Sequence, residues 1–231
     1  MKTIGLIGGS TWLSTAEYYK YLNLFTNKLL GGSEYAKLIL YSMNFGEFKR
    51  MVNSGDRESI SNMFIDIAGK LEYAGAGCLL LCANTMHMYA DEVVKKINIP
   101  LIHITDETAK EIKKNRMSRI GLLGTKLTME EPFYKERLLK YGIESVIPDK
   151  DDREYINNSI FHEFSKGIFS DETKSRYLKI INGLESNGAE GIVLGCTEIP
   201  LMVKQSDCKI TLFDTTMIHA KAAIESAVNN Y

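Results

Sequence analysis

The sequence has no excess of charge of either sign and no long hydrophobic run. Its 231 residues include 28 basic and 29 acidic side chains, which leave a formal net charge of -1. A chain without a basic surplus lacks the electrostatic attraction that binding to nucleic acid or an anionic membrane requires. No apolar stretch reaches the length of a membrane span, and the N-terminus does not have the form of a signal peptide. We therefore expect a cytoplasmic protein whose partner is a small molecule.

Cysteine and histidine are scarce, and neither follows a metal-binding pattern. The cysteines are Cys78, Cys82, Cys196 and Cys208. They lack CxxC spacing, and a chain of this length can build a core without disulfides, so reduced thiols are expected. The histidines are His87, His103, His162 and His219. No two of them have paired ligand spacing on one helix, so the sequence predicts no metal site.

Apolar segments of strand length alternate with amphipathic stretches of helical length. This alternation is typical of a mainly parallel sheet covered by helices. The predicted strands are 4–7, 38–41, 78–81, 101–104, 120–123, 191–194 and 210–213. The predicted helices are 14–30, 57–73 and 174–186. The pattern therefore indicates an α/β protein.

Two parts of the chain resemble each other. The segment Ile4-Gly5-Leu6-Ile7-Gly8 recurs as Ile120-Gly121-Leu122-Leu123-Gly124, at an offset of 116. A second pair, Cys82-Ala83-Asn84-Thr85 and Gly195-Cys196-Thr197-Glu198, recurs at offsets of 113 to 114. We predict two pseudo-symmetric Rossmann-like lobes, the first formed by 1–100 plus 211–231 and the second by 101–210. The alternative is one doubly wound sheet with similar turns.

Both Cys82 and Cys196 follow predicted strands, where open α/β sheets bind their ligands. Two thiols that approach a substrate from opposite sides of a cleft between the lobes could invert a stereocentre. Cys196 also precedes a predicted helix start, where backbone N–H groups and the helix dipole lower a thiol pKa. The alternative is that each cysteine is a small buried apolar residue.

The glycine-rich turn after the first strand does not predict nucleotide binding. Gly5-Leu6-Ile7-Gly8-Gly9-Ser10 lacks both the Lys-Ser/Thr ending of a phosphate loop and the full dinucleotide spacing.

Three segments in this order resemble the aspartate/glutamate racemase family. They are Gly8-Gly9-Ser10-Thr11-Trp12, Cys82-Ala83-Asn84-Thr85-Met86-His87 and Gly195-Cys196-Thr197-Glu198-Ile199-Pro200. The resemblance implies a two-lobed α/β homodimer that works without pyridoxal phosphate or a metal. It also implies that Cys196 is the acid/base of the second lobe.

The resemblance further implies roles in substrate binding. Asn84, Thr85 and Thr197 would hold the α-carboxylate and amino group, and Lys166 would bind the distal carboxylate. The alternative interpretation is that Lys166 is a solvated side chain before a helix-ending glycine and has no role in binding. Arg50 is a weaker candidate for a substrate-binding arginine, since Lys49 fits almost as well. The remaining substrate-binding candidates lie within the three resembling segments: Ser10, Thr11, Ala83 and Glu198.

The sequence departs from the family pattern at one catalytic place. The usual string has cysteine directly before Asn-Thr, where this chain has Ala83, and its thiol stands one residue earlier at Cys82. Consecutive strand residues point to opposite faces, so Cys82 does not simply replace the missing thiol. Either the chain bends to aim Cys82 inward, or the site is asymmetric.

The sequence thus predicts racemisation of an acidic amino acid, aspartate or glutamate, by Cys196 and Cys82. Two alternatives remain at this stage. The first is a one-cysteine decarboxylase or related isomerase, and the second is a catalytically silent amino-acid-binding protein.

Overall fold

The computed structural model describes residues 1–229, without the side chain of residue 229. These residues divide into two compact units, one of Met1–Ile104 with the C-terminal segment from His219, and one of Thr105–Ile218. The predicted first lobe also included residues 230 and 231, which lie outside the described residues.

Within residues 1–229 the first unit contains three strands, four complete helices and most of a fifth. Its strands are β1 (Ile4–Gly8), β2 (Leu38–Ser42) and β3 (Cys78–Leu81). Its helices are α1 (Trp12–Leu30), α2 (Phe45–Ser54), α3 (Arg57–Tyr73) and α4 (Ala90–Val94), with most of α11 (Thr215–Asn229). A 3₁₀ helix, Thr85–Tyr89, follows β3. The sheet is parallel with the order β2-β1-β3.

The second unit contains a four-stranded parallel sheet of order β5-β4-β6-β7. Its strands are β4 (Arg119–Gly124), β5 (Glu144–Val146), β6 (Gly191–Gly195) and β7 (Thr211–Asp214). Its helices are α5 (Ile104–Lys114), α6 (Lys126–Glu130), α7 (Pro132–Leu139), α8 (Lys150–His162), α9 (Asp171–Ser186) and α10 (Ile199–Met202). Two 3₁₀ helices also occur here, Phe164–Lys166 and Gln205–Asp207.

The two units share one strand order. In the first unit Leu101 makes an isolated parallel bridge to Leu79 of β3, at the place that β7 occupies beside β6. The turns that lead into β3 and β6 also match, because Gly75 and Gly188 both have positive φ, +96° and +88°. The predicted α/β class with two lobes is therefore confirmed.

Each sheet is covered on both faces by apolar side chains, as parallel sheets require. In the first unit Ile4, Leu6, Cys78 and Leu80 pack on the side of α1 and α11, while Ile7, Leu79 and Leu81 pack on the side of α3. In the second unit Ile192 and Leu194 pack on the side of α8 and α9, and Val193 packs on the side of α5 and α7. Strand alternation therefore decides which helix layer each side chain meets.

Several sequence predictions need correction. Residues 101–104 do not form a strand, because only Leu101 pairs and α5 begins at Ile104. The second unit extends to Ile218, beyond the expected limit of 210, because β7 forms a backbone ladder with β6. Helix α8 was not predicted. Its sequence is mostly polar, so its few apolar residues give only a weak helical pattern.

No helix within residues 1–229 is long and apolar enough to cross a membrane. Within the same residues, no group of three or more histidine, cysteine or acidic side chains could hold a metal ion. All four cysteines are free thiols.

Candidate active site

The carboxyl end of β6 carries the most distinctive polar segment of the second unit. Gly195, the last residue of β6, pairs with Gly124 of β4. A Cβ on Gly195 would lie 2.7 Å from the carbonyl oxygen of Leu123, and one on Gly124 would lie 2.8 Å from that of Gly195. Only glycine fits where the two backbones approach this closely. The paired glycines therefore fix the position from which Cys196 leaves the sheet.

Cys196, Thr197 and Glu198 form the turn between β6 and α10. Their exposed fractions are 8%, 4% and 3%. The Cys196 thiol donates to Glu198 Oε2 at 3.0 Å, and the Thr197 hydroxyl donates to the same oxygen at 2.8 Å. The backbone N–H of Ile199 donates to the Cys196 carbonyl at 3.1 Å and closes the turn. The turn is thus a small buried network around one carboxylate oxygen.

The pKa of the Cys196 thiol is raised well above its ordinary value, which corrects the expectation that the helix start would lower it. Burial is the largest cause, followed by the negative charge of Glu198 and the hydrogen bond to it. Backbone N–H groups of Glu198 and Thr197 act in the expected direction and lower the pKa, but they rank below the other causes. Helix α10 has only four residues, so its dipole is small. Cys196 therefore rests as a protonated thiol.

Lys166 lies in the 3₁₀ turn Phe164–Lys166, which ends at Gly167 with φ +75°. The Lys166 side chain is exposed, as the interpretation of a lysine before a helix-ending glycine requires. Phe164 anchors this turn in the same apolar cluster as Cys196, and its ring lies 5.6 Å from that of Tyr177. Tyr177 belongs to the same apolar cluster. The core of the second unit therefore links the Lys166 turn to the thiol through two rings.

In the first unit, the corresponding polar segment follows β3. Asn84 is 3% exposed, and Thr85 begins the 3₁₀ helix. His87 Nδ1 contacts the Ala83 carbonyl at 3.0 Å, and His87 Nε2 accepts from the Ile104 N–H at 3.2 Å. The ring thus donates at one nitrogen and accepts at the other, as a neutral imidazole does. His87 therefore connects the segment after β3 to the backbone at Ile104.

Cys82 is a core residue of the first unit. It is 1% exposed and packs with Cys78, Tyr18 and Ile224 on the side of α1 and α11. Its backbone is fixed at both polar groups, since its N–H donates to the Ile7 carbonyl at 2.9 Å and its carbonyl accepts from the Ser14 hydroxyl at 2.5 Å. Burial raises the pKa of the Cys82 thiol.

Strand register identifies the counterpart of Cys196 in the first unit. Ile4 pairs with Cys78, and Ile120 pairs with Gly191. If Ile4 and Ile120 are equivalent, then Cys78 corresponds to Gly191 and Ala83 corresponds to Cys196. The faces agree, because Ala83 packs against the α3 layer and Cys196 against the α9 layer, and each of these helices precedes its strand. By the same count Cys82 corresponds to Gly195.

The remaining candidates of the first unit lie in two places. Ser10 and Thr11 follow β1, where Thr11 caps α1 by accepting from the Ser14 N–H at 3.1 Å. This turn requires Gly9, whose φ is +88° and whose Cβ would lie 2.2 Å from the Met43 carbonyl oxygen. Arg50 is exposed on α2. The turns after β1 and β3 are neighbours, while Arg50 belongs to the helix that follows edge strand β2.

Thr215, in the second unit, was not among the site residues predicted from the sequence. Its hydroxyl donates to the Leu194 carbonyl at 2.9 Å, next to the end of β6. Asp214 Oδ1 accepts from the N–H groups of Thr216 and Met217, both at 3.0 Å, and so caps the start of α11. The sequence feature that could have identified Thr215 is its position in Asp214-Thr215, directly after the predicted strand 210–213.

The two-lobed α/β fold is shared with solved structures of racemases. The family model for Asp/Glu/Hydantoin racemase matches residues 7–223, and the chain belongs to this family.

Similar proteins carry related names. The chain is 25% identical over 227 residues to the broad specificity amino-acid racemase RacX of Bacillus subtilis (strain 168), covering 96% of this chain and 97% of that protein. A crystal structure of a candidate Asp/Glu racemase from Yersinia pestis is 44% identical, with a TM-score of 0.93 over 99% of this chain and 100% of that chain. An aspartate racemase homologue from Pyrococcus horikoshii OT3 is 39% identical, with a TM-score of 0.87 over 98% and 99%.

Proposed function

We propose that this chain racemises an acidic amino acid, aspartate or glutamate, by removing and returning the α-proton with the thiol of Cys196. The observation that carries the proposal is the position of Cys196 at the end of β6, in a buried turn with Thr197 and Glu198. Membership of the Asp/Glu/Hydantoin racemase family supports it.

The reaction requires the resting thiol to lose its proton, because only the thiolate is a useful base. The α-proton of an amino acid is weakly acidic, so the site must also stabilise the negative charge that develops as the proton leaves. Asn84, Thr85 and Thr197 carry side chains that suit the α-carboxylate and the amino group. No metal or pyridoxal phosphate is part of this proposal.

Selection of an acidic side chain needs a cation near the distal carboxylate. Lys166 and Arg50 are the candidates, and both are exposed. The fixed attachment of the Lys166 turn to the Cys196 core through Phe164 favours Lys166. The Bacillus relative is named for broad specificity, so neutral amino acids belong in any test of selectivity.

The packing of Cys82 favours an asymmetric site. Ala83 stands at the counterpart of Cys196, and Cys82 lies on the opposite face of its strand among core side chains. We propose that Cys196 is the thiol that exchanges the α-proton, with Cys82 a packing residue. Cys196 would then serve one face of the α-carbon and a water molecule the other. The two enantiomers would differ in kcat and KM together, while kcat/KM stays equal because their equilibrium constant is unity.

The absence of a thiol at Ala83 also favours a second candidate, decarboxylation of a substituted malonate. That reaction needs protonation of the carbanion on one face only, which a resting Cys196 thiol can supply. Release of carbon dioxide from a substituted malonate, without α-deuteration of aspartate in deuterated water, would identify it.

We also propose that the chain forms a homodimer in the cytoplasm. Large apolar side chains are exposed in the first unit, including Trp12 at 68%, Tyr19 at 62% and Tyr41 at 39%, and such side chains are typical of interfaces. Four free thiols fit a reducing compartment. Light scattering should give twice the chain mass of 26.0 kDa.

The function is tested by incubating the protein separately with the L and D forms of aspartate, glutamate and alanine. Chiral chromatography should show the opposite enantiomer of aspartate or glutamate, and much less of alanine. The Cys196→Ser variant should give none. Absence of any opposite enantiomer with the wild-type protein would contradict the proposal.

A further inference from the structure

One carboxylate oxygen organises the Cys196 turn. Glu198 Oε2 accepts a hydrogen bond from the Cys196 thiol at 3.0 Å and another from the Thr197 hydroxyl at 2.8 Å. The Glu198 side chain is 3% exposed. A buried carboxylate is costly unless its hydrogen bonds are satisfied, and here the donors come from the two preceding residues. Glu198 is therefore built into the turn.

This placement does not suit the predicted role of Glu198 as a substrate ligand. The oxygen nearest the thiol already accepts two hydrogen bonds from its own chain. Its negative charge would also repel the carboxylates of an acidic amino acid if they approached the thiol. The same charge opposes thiolate formation, because it stands 3.0 Å from the sulfur.

We propose that Glu198 is a positioning residue for Cys196 and does not bind the substrate. Its carboxylate accepts the thiol hydrogen, sets the direction of the S–H bond, and takes the thiol proton when Cys196 becomes a base. The coupling of the two side chains stands on geometry alone, whereas the catalytic use of that coupling rests on the proposed racemase function.

The proton balance of α-proton exchange on the Cys196 face is complete within the two side chains and the substrate. The Sγ–H bond breaks and an Oε2–H bond forms, which gives a thiolate and a carboxylic acid. The thiolate then takes the α-proton to form a new Sγ–H bond, and the electron pair of the C–H bond remains on the α-carbon. The reverse sequence restores the thiol and the carboxylate and returns a proton to the same face of the α-carbon, and no oxidant or reductant is needed. Inversion requires a proton on the opposite face, which we assign to a water molecule, with the Glu198 carboxylic acid and the Cys196 thiol then releasing one proton to solvent.

The coupling is tested without any substrate, by alkylating the protein with iodoacetamide across a range of pH. Peptide mass spectrometry measures Cys196 separately from the other three cysteines. In Glu198→Gln the pH midpoint of Cys196 alkylation should fall, because the negative charge beside the sulfur is gone. Glu185→Gln makes the same change at an exposed residue of the same unit and should leave the midpoint unchanged. An unchanged midpoint in Glu198→Gln would overturn the coupling.

The catalytic role is tested by the kinetics of the same variants. In Glu198→Gln we expect kcat at pH 7 to fall by roughly 10²–10³-fold with KM little changed, since general acid–base groups contribute on this scale. The remaining activity of Glu198→Gln should rise with pH, because the Cys196 thiol must now lose its proton to solvent. Glu198→Asp, which keeps the carboxylate, should retain more activity than Glu198→Gln.

Two results would contradict the catalytic role. A raised KM with unchanged kcat in Glu198→Gln would make Glu198 a substrate ligand. Equal losses in the Gln and Asp variants, with the wild-type pH profile preserved in both, would reduce it to a structural residue. If the wild-type protein racemises nothing, the proposed function fails, while the alkylation midpoint still decides whether Glu198 and Cys196 are coupled.

Discussion

His219 makes the stability of the first unit depend on pH. Its ring is fully buried, and both nitrogens are used: Nε2 contacts the Ile102 carbonyl at 2.7 Å, and Nδ1 contacts the Tyr18 hydroxyl at 2.7 Å. A carbonyl oxygen only accepts, so Nε2 donates to Ile102. Burial favours the neutral ring, in which Nδ1 accepts from the Tyr18 hydroxyl. The nearest ring on another element is His87, 5.5 Å away between centroids, and it offers no negative charge. Burial lowers the pKa of His219 from 6.5 to about 4.

The direction of the effect follows from proton binding. Between pH 6.5 and about 4 the unfolded chain binds a proton at His219 and the folded protein does not. The free energy of unfolding therefore falls as the pH falls through this window, and it has its full value above pH 6.5. A pKa difference of this size corresponds to about 3 kcal/mol by pH 4.

Urea denaturation followed by circular dichroism, at several pH values from 7.5 to 4, measures this loss. His219→Gln removes the titrating group while it keeps a donor and an acceptor, so its stability should depend less on pH by about 3 kcal/mol across the window. His162→Gln, at an exposed histidine of α8, is the matched control and should retain the wild-type dependence. If His219→Gln kept the full wild-type pH dependence, the assignment of a neutral buried ring would be refuted.

Three further predictions concern the candidate site. Lys166→Met should weaken acidic substrates more than neutral ones, by about 1.5–3 kcal/mol if the ammonium binds the distal carboxylate; equal kcat/KM losses for aspartate and alanine would exclude that role. Cys82→Ala should leave α-proton exchange nearly unchanged, whereas Ala83→Cys should speed the slower direction of racemisation; loss of exchange in Cys82→Ala would restore Cys82 as a base. Gly195→Ala should lower the free energy of unfolding by about 1–3 kcal/mol because its Cβ meets fixed backbone, while Gly183→Ala, where a Cβ meets nothing within 4 Å, should not.

The repeat of two α/β lobes could be predicted from the sequence because its short strands are runs of apolar residues. Helix α3 was predicted with its exact bounds, and β3 likewise, since both have regular apolar spacing between polar ends. The segment 101–104 was misassigned because an apolar run of that length fits a strand or a helix start equally well. Only the pairing of Leu101 with Leu79 decides between them.

The identity of the site cysteines could be read only in part from the sequence. Cys196 stands out because it follows a strand and precedes Thr-Glu and a helix start. The sequence left two offsets open, 114, which aligns Cys82 with Cys196, and 113, which aligns Ala83 with Cys196. Strand pairing favours 113. The raised pKa of the Cys196 thiol could not be predicted from the sequence. It depends on burial and on the rotamer that brings Glu198 Oε2 to the sulfur.

The most direct test of the central claim is the exchange of the α-proton of aspartate and glutamate with deuterated water, followed by proton NMR. We predict that the wild-type protein incorporates deuterium at the α-carbon of at least one of the two. The folded Cys196→Ser variant should incorporate none, because a serine hydroxyl is a far poorer base than a thiolate. Near-normal exchange in folded Cys196→Ser, or no exchange in the wild type with either amino acid, would contradict the account.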